Sequence, residues 1–147
     1  MPRANSDIVI KCPREEVFAF LADVENDPQW RSGVLDLKRV SGSGVGARYA
    51  QGVKGPGGRR IPADIEITEL TPDEAIAFQT VTGPVRPRGR YVLAAAEGGT
   101  RVRFELEADL NGVKRLIAPI VQKTMNNEVG QLDSLKRVIE QRSAAGH

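Results

Sequence analysis

Few side chains in this sequence have the type and spacing to act on a small molecule. Glu128 comes first, with Thr124 and Gln131 at helical spacing around it, and then the tyrosines Tyr49 and Tyr91. Wound at about 100° per residue, the segment from Ile120 onward gathers Val121, Leu132, Leu135 and Ile139 on one side. Thr124, Glu128 and Gln131 fall inside that stripe, while Asn126 and Gly130 lie opposite. A polar group on an apolar helix face needs a reason, because leaving it buried and unpartnered costs about 1–3 kcal/mol. A buried carboxyl has a raised pKa unless a cation meets it, and either state serves binding or proton transfer. Two readings therefore stand for Glu128: contact with a ligand, or a rim position or structural pair with an inward arginine such as Arg48. Thr124 has the further option of bonding its own helix backbone. Tyr49 shares parity with Val53 and Tyr91 with Leu93, so both point inward. Their hydroxyls then need a ligand group, a water or a main-chain carbonyl.

Other chemistries are removed by composition. The one histidine is His147, the last residue, expected to fray. This takes away histidine-based nucleophilic triads and histidine-rich zinc sites, and no metal or cofactor is expected. The one cysteine, Cys12, cannot form an intramolecular disulfide and lacks a histidine partner for a reactive thiol. A net charge of +2 with 27% charged residues describes an ordinary surface and not that of a nucleic-acid binder. Met1 to Ser6 lacks the apolar core of a signal peptide, and the longest apolar run, Tyr91 to Ala96, is far short of a membrane span. The expectation is a cytoplasmic protein, monomer or homodimer, without integral membrane association.

The elements that must position these groups follow from pattern. Asp7 to Lys11 reads as a first strand, and Pro13 to Ala22 as a helix with Val17, Phe20 and Leu21 on one face. Asn26-Asp27-Pro28 suggests a second cap, Asp27 capping a single turn that ends at Trp30. Trp30 either packs that corner or covers a ligand. Strands are expected at Val34–Val40, Ala47–Val53, Ile61–Thr68, Ile76–Thr80, Val85–Ala96 and Thr100–Leu110. The glycines between Gly42 and Gly46 resemble a phosphate loop only superficially, since no helical period follows them; hairpin turns suffice. Arg86, Arg88 and Arg90 share one parity and read, with the separate pair Arg59–Arg60, as solvated outer surface. From Gly112 to Gln141 the pattern predicts one long helix, looser up to Ala118 because Pro119 interrupts it. A long amphipathic helix after a run of strands buries its stripe on the sheet, making residues 1–147 one α+β domain.

Particular residues at the joints resemble the START-related SRPBCC superfamily. They are Pro13 with Val17, Phe18 and Leu21; Asp23, Pro28 and Trp30; Gly44-Val45-Gly46; the Ile67–Pro72 corner; Gly99-Thr100-Arg101-Val102; and the terminal leucine-rich helix. The chain is most similar to the polyketide cyclase/dehydrase-like branch. The resemblance implies a helix-grip fold, with a curved antiparallel sheet of about six or seven strands around the C-terminal helix and two short helices after the first strand. It also implies a mostly apolar cavity between sheet and helix. The expected lining is Trp30, Tyr49, Phe78, Tyr91 and Phe104 from the sheet side, with Val121, Thr124, Met125, Glu128 and Gln131 from the helix. The function so implied is binding or transport of a small hydrophobic, lipid- or polyketide-like molecule. The alternatives are a cyclase or dehydratase using Glu128, Tyr49 and Tyr91, and a protein-interaction module using the arginine stripe.

Overall fold

A computed structural model describes residues 2–145. His147, expected to fray, lies outside the described residues. The order is β1 (Arg3–Ile10), α1 (Arg14–Ala22), a 3-10 segment (Val24–Gln29), β2 (Val34–Ser41), β3 (Arg48–Lys54), β4 (Arg60–Pro62), β5 (Ile65–Thr71), β6 (Ala75–Thr80), β7 (Arg88–Ala96) and β8 (Gly99–Glu107). A 3-10 segment (Gly112–Ile117) then leads into α2 (Ala118–Val129) and α3 (Leu132–Ala145). The strands form one antiparallel sheet in the order β1-β8-β7-β6-β5-β3-β2, with β4 paired to β3. This is the expected α+β helix-grip arrangement, with eight strands because one expected strand is divided.

The strand alternation does the sorting. In β8 Val102, Phe104 and Leu106 are buried while Arg101 and Arg103 are exposed. The inward residues of β1, β6, β7 and β8 pack with Val17, Phe20 and Leu21 of α1 and with Met125, Val129, Leu132, Leu135 and Ile139 of the C-terminal helices. A second, smaller cluster joins Val24, Ala47, Tyr49, Ile65 and Ile67 at the other end of the sheet.

Several expectations need correction. The C-terminal helix breaks at Gly130–Gln131. The glycine is a poor helix former there, and Gln131 spends its side-chain oxygen on the Ser32 N–H (2.6 Å) and hydroxyl (3.1 Å). Its second half runs on to Ala145, past Gln141. Ile120, placed on the buried pattern, is exposed. The expected strand Ile61–Thr68 divides because Ala63 N–H turns to the Gln51 carbonyl (2.8 Å) and Asp64 N–H to the Thr82 hydroxyl (2.8 Å). β1 starts earlier than expected, β7 starts only at Arg88, and β8 stops at Glu107. Pro13 stands at the cap of α1 instead of inside it. Gly42, Gly44 and Gly46 all have positive φ between β2 and β3, which settles that stretch as a turn.

Candidate functional site

The polar centre of the molecule forms where the first 3-10 segment meets α2. The backbone of that segment curls so that the N–H groups of Trp30 and Arg31 both reach the Asp27 carbonyl (3.1 and 2.9 Å). Asp27 and Arg31, four residues apart, therefore face the same way. The Arg31 Nη1 donates to Asp27 Oδ2 at 2.9 Å and to Gln51 Oε1 at 3.0 Å, and its Nε donates to Glu128 Oε2 at 3.0 Å. Gln51 is held in turn by its Nε2, which donates to the Ala63 carbonyl (3.0 Å) at the break between β4 and β5. That break is thus part of the site's scaffold.

Asp27, Arg31 and Gln51 are buried and the Glu128 side chain is 18% exposed. One guanidinium thus sits between two carboxylates. Burial opposes the charge of Arg31, but Glu128 and then Asp27 outweigh it and raise its pKa. For Asp27 burial dominates; Arg31 pulls the other way and Glu128 adds repulsion, leaving its pKa at about 6 instead of 3.8. When both carboxylates are ionised the cluster carries one excess negative charge.

Against this cluster lies a group of rings. Tyr91 stacks on Phe104 at 4.5 Å between centroids, Trp30 meets both edge-on at 6.2 and 6.3 Å, and Phe78 leans on Tyr91 at 6.0 Å. Gly89 makes room for Phe78, since a Cβ there would stand 2.4 Å from the ring's Cζ. Among the described residues the Trp30 Nε1 and the Tyr91 hydroxyl, both buried, have no hydrogen-bond partner. Burial pushes the Tyr91 phenol well above its ordinary pKa, with Asp27 and Glu128 adding to the rise and Arg31 opposing it.

The expected residues are therefore only partly brought together. Trp30, Phe78, Tyr91, Phe104, Met125 and partly buried Val121 meet in the main core, and Glu128 joins them through Arg31. The hollow expected at this point is filled by the rings. The partner of Glu128 is Arg31 and not Arg48, which pairs outside with Glu66 at 3.0 Å. Thr124 is exposed and returns its hydroxyl to the Ile120 carbonyl (3.1 Å). Tyr49 is buried in the smaller cluster, which Phe78 joins to the main core by packing against both. Asp27 is no cap: its side chain makes no capping bond and serves Arg31 instead. The arginine stripe is spoken for, Arg88 by Glu107 and Asp109, Arg90 by Glu69, and Arg86 by the Gly83 carbonyl. Sequence reasoning missed Arg31 and Gln51. The available signal was an Asp–Arg pair at helical spacing beside the single tryptophan.

A family model described as polyketide cyclase/dehydrase and lipid transport matches residues 1–140. No curated protein sequence matches the chain. Among solved structures, a Thermus thermophilus protein is similar with a TM-score of 0.81 at 23% identity, covering 97% of this chain and 99% of that one. A START superfamily protein from Mycobacterium smegmatis gives 0.72 at 14% identity, over 95% of this chain and 97% of the other. A Deinococcus radiodurans protein gives 0.70 at 18%, over 97% and 98%. These likenesses establish the fold alone.

Proposed function

Because the chain belongs to the polyketide cyclase/dehydrase and lipid transport family, we propose that it binds a small hydrophobic molecule between the sheet and α2. One polar end of that molecule would be held beside the Arg31 cluster. The observation that carries this reading is the pair of buried, unpartnered donors, Trp30 Nε1 and Tyr91 Oη. Each costs about 1–3 kcal/mol while unsatisfied, a cost that a bound acceptor would recover. The rings occupy the space, so the ligand enters by parting them, and apolar contact with Phe78, Phe104, Met125 and Val121 supplies affinity at about 0.8 kcal/mol per buried methylene.

The charge of the site narrows the ligand's polar end. With an excess carboxylate beside two donors, a neutral carbonyl or hydroxyl is favoured over a carboxylate, which would meet repulsion at low dielectric. Native mass spectrometry after incubation with a long-chain methyl ketone and with the fatty acid of equal length tests this. A one-to-one adduct with the ketone, weakened in Tyr91→Phe, is expected. Equal or better retention of the fatty acid, or no adduct with either, overturns the reading.

A second reading, an enzyme of the cyclase or dehydratase type, is favoured by one feature. The Asp27 carboxyl, pushed to about 6, is poised to exchange a proton near neutral pH. On that reading Asp27 is the acid/base, and Asp27→Asn should abolish turnover while leaving ketone binding in place.

A further inference from the structure

The segment joining β8 to α2 carries large apolar side chains into solvent. Leu116 is 82% exposed, Ile120 62% and Ile117 37%. They lie within five residues on consecutive turns of the second 3-10 segment and the start of α2, so they form one patch. Lys114 and Arg115 precede them and Lys123 follows one turn later, all exposed. No acidic residue occurs between Asp109 and Glu128. The arginines of the sheet's outer face behave differently: Arg48, Arg60, Arg88, Arg90 and Arg103 each pair with a carboxylate. Among the described residues Lys114, Arg115 and Lys123 make no such pair.

We infer that this patch docks the protein on an anionic membrane surface, Leu116, Ile117 and Ile120 entering the interfacial layer while Lys114, Arg115 and Lys123 face the lipid headgroups. Apolar side chains flanked by unpaired cations, with acids excluded from the segment, match the requirements of an interfacial helix. Among the described residues no helix is long and apolar enough to cross a membrane, and the docking inferred here is a peripheral one. Charge also argues against a second copy of the chain as the occupant. A two-fold contact would lay this basic segment against its own image with no carboxylate from the same segment to meet it. The inference does not rest on the ligand reading above, since the patch lies on the surface and involves none of the Arg31 cluster.

Sedimentation with vesicles tests it, using phosphatidylcholine alone and phosphatidylcholine mixed with phosphatidylserine. Binding is expected only to the mixed vesicles and should weaken as salt rises. The double substitution Lys114→Gln, Arg115→Gln should weaken partitioning by about twenty-five-fold, taking each cation as worth roughly fivefold at such a surface. Leu116→Ser with Ile120→Ser should weaken it by on the order of tenfold or more through lost apolar burial. Both variants should melt like the parent, because the altered side chains are exposed. Failure of the parent to bind the mixed vesicles overturns the proposal, as does equal binding by the serine variant. So would a concentration-dependent dimer, seen by sedimentation velocity, that the serine variant abolishes.

Discussion

Replacing Arg31 with methionine removes the one cation that two inward carboxylates share. The chain loses three charge-assisted hydrogen bonds, to Asp27 at 2.9 Å and to Gln51 and Glu128 at 3.0 Å each. Asp27 and Glu128 then face each other with no compensating charge, in a site where their side chains are only 7% and 18% exposed. Breaking a buried pair from one side costs about 3–5 kcal/mol. At roughly 2–4 °C per kcal/mol for a domain of this size, the melting temperature should fall by about 10 °C. The loss should depend on pH in a definite direction. Burial already holds the Asp27 carboxyl above its unfolded value, and losing the opposing Arg31 charge raises it further, so the folded state takes up a proton there as pH falls. The deficit is therefore largest at neutral pH and shrinks toward pH about 4. Adding Asp27→Asn and Glu128→Gln to Arg31→Met should recover most of the stability, leaving about 1 kcal/mol for the unsatisfied Gln51 oxygen. Urea unfolding of the parent, the single and the triple variant at two pH values is the assay. A single-variant loss below about 1 kcal/mol, or a triple variant no better than the single, refutes the claim that this cluster is a buried, mutually dependent ion network.

Three further outcomes follow from the same geometry. In the parent, Asp27 binds a proton more tightly folded (pKa about 6) than unfolded (3.8), so its contribution is full below the lower value. It is lost as pH rises through the upper one, by about 3 kcal/mol at most; Asp27→Asn should flatten that part of the stability profile measured by urea unfolding. Tyr91→Phe removes a buried hydroxyl with no partner, so the unliganded protein should gain about 1 kcal/mol in thermal unfolding while ketone retention falls. Gly89→Ala would place a Cβ 2.4 Å from Phe78 Cζ and 2.8 Å from Leu106 Cδ2, forcing the ring to shift. It should cost about 1–3 kcal/mol by the same assay, and an unchanged midpoint would mean that the ring has room to give.

The fold was legible because burial is written in periodicity: β8 alternates nearly without exception, and α1 shows its apolar face in Val17, Phe20 and Leu21. The long helix was legible as an element but not in its break, since the Gln131 contact with Ser32 comes from 99 residues away. Helical angle alone also placed Thr124 inward; the structure turns it to solvent, where it bonds Ile120. Glu128 stood out in the sequence as polar among apolar neighbours, but its partner was not recoverable. Arg31 and Glu128 are 97 residues apart, and no local pattern links them. Tyr49 and Tyr91 share the same parity signal yet enter different clusters, because parity gives the face of a sheet and not the position along it.

Trp30 is the only tryptophan of the chain, so its emission reports on the proposed binding site without interference. Titration with prodan, a neutral aromatic ketone, should quench that emission saturably at one equivalent, with sensitised dye fluorescence. Tyr91→Phe should shift the midpoint about tenfold or more to weaker binding, as loss of one buried hydrogen bond to the ketone requires. Unchanged Trp30 emission at saturating dye, or a midpoint indifferent to Tyr91→Phe, would contradict a ligand site at these two donors.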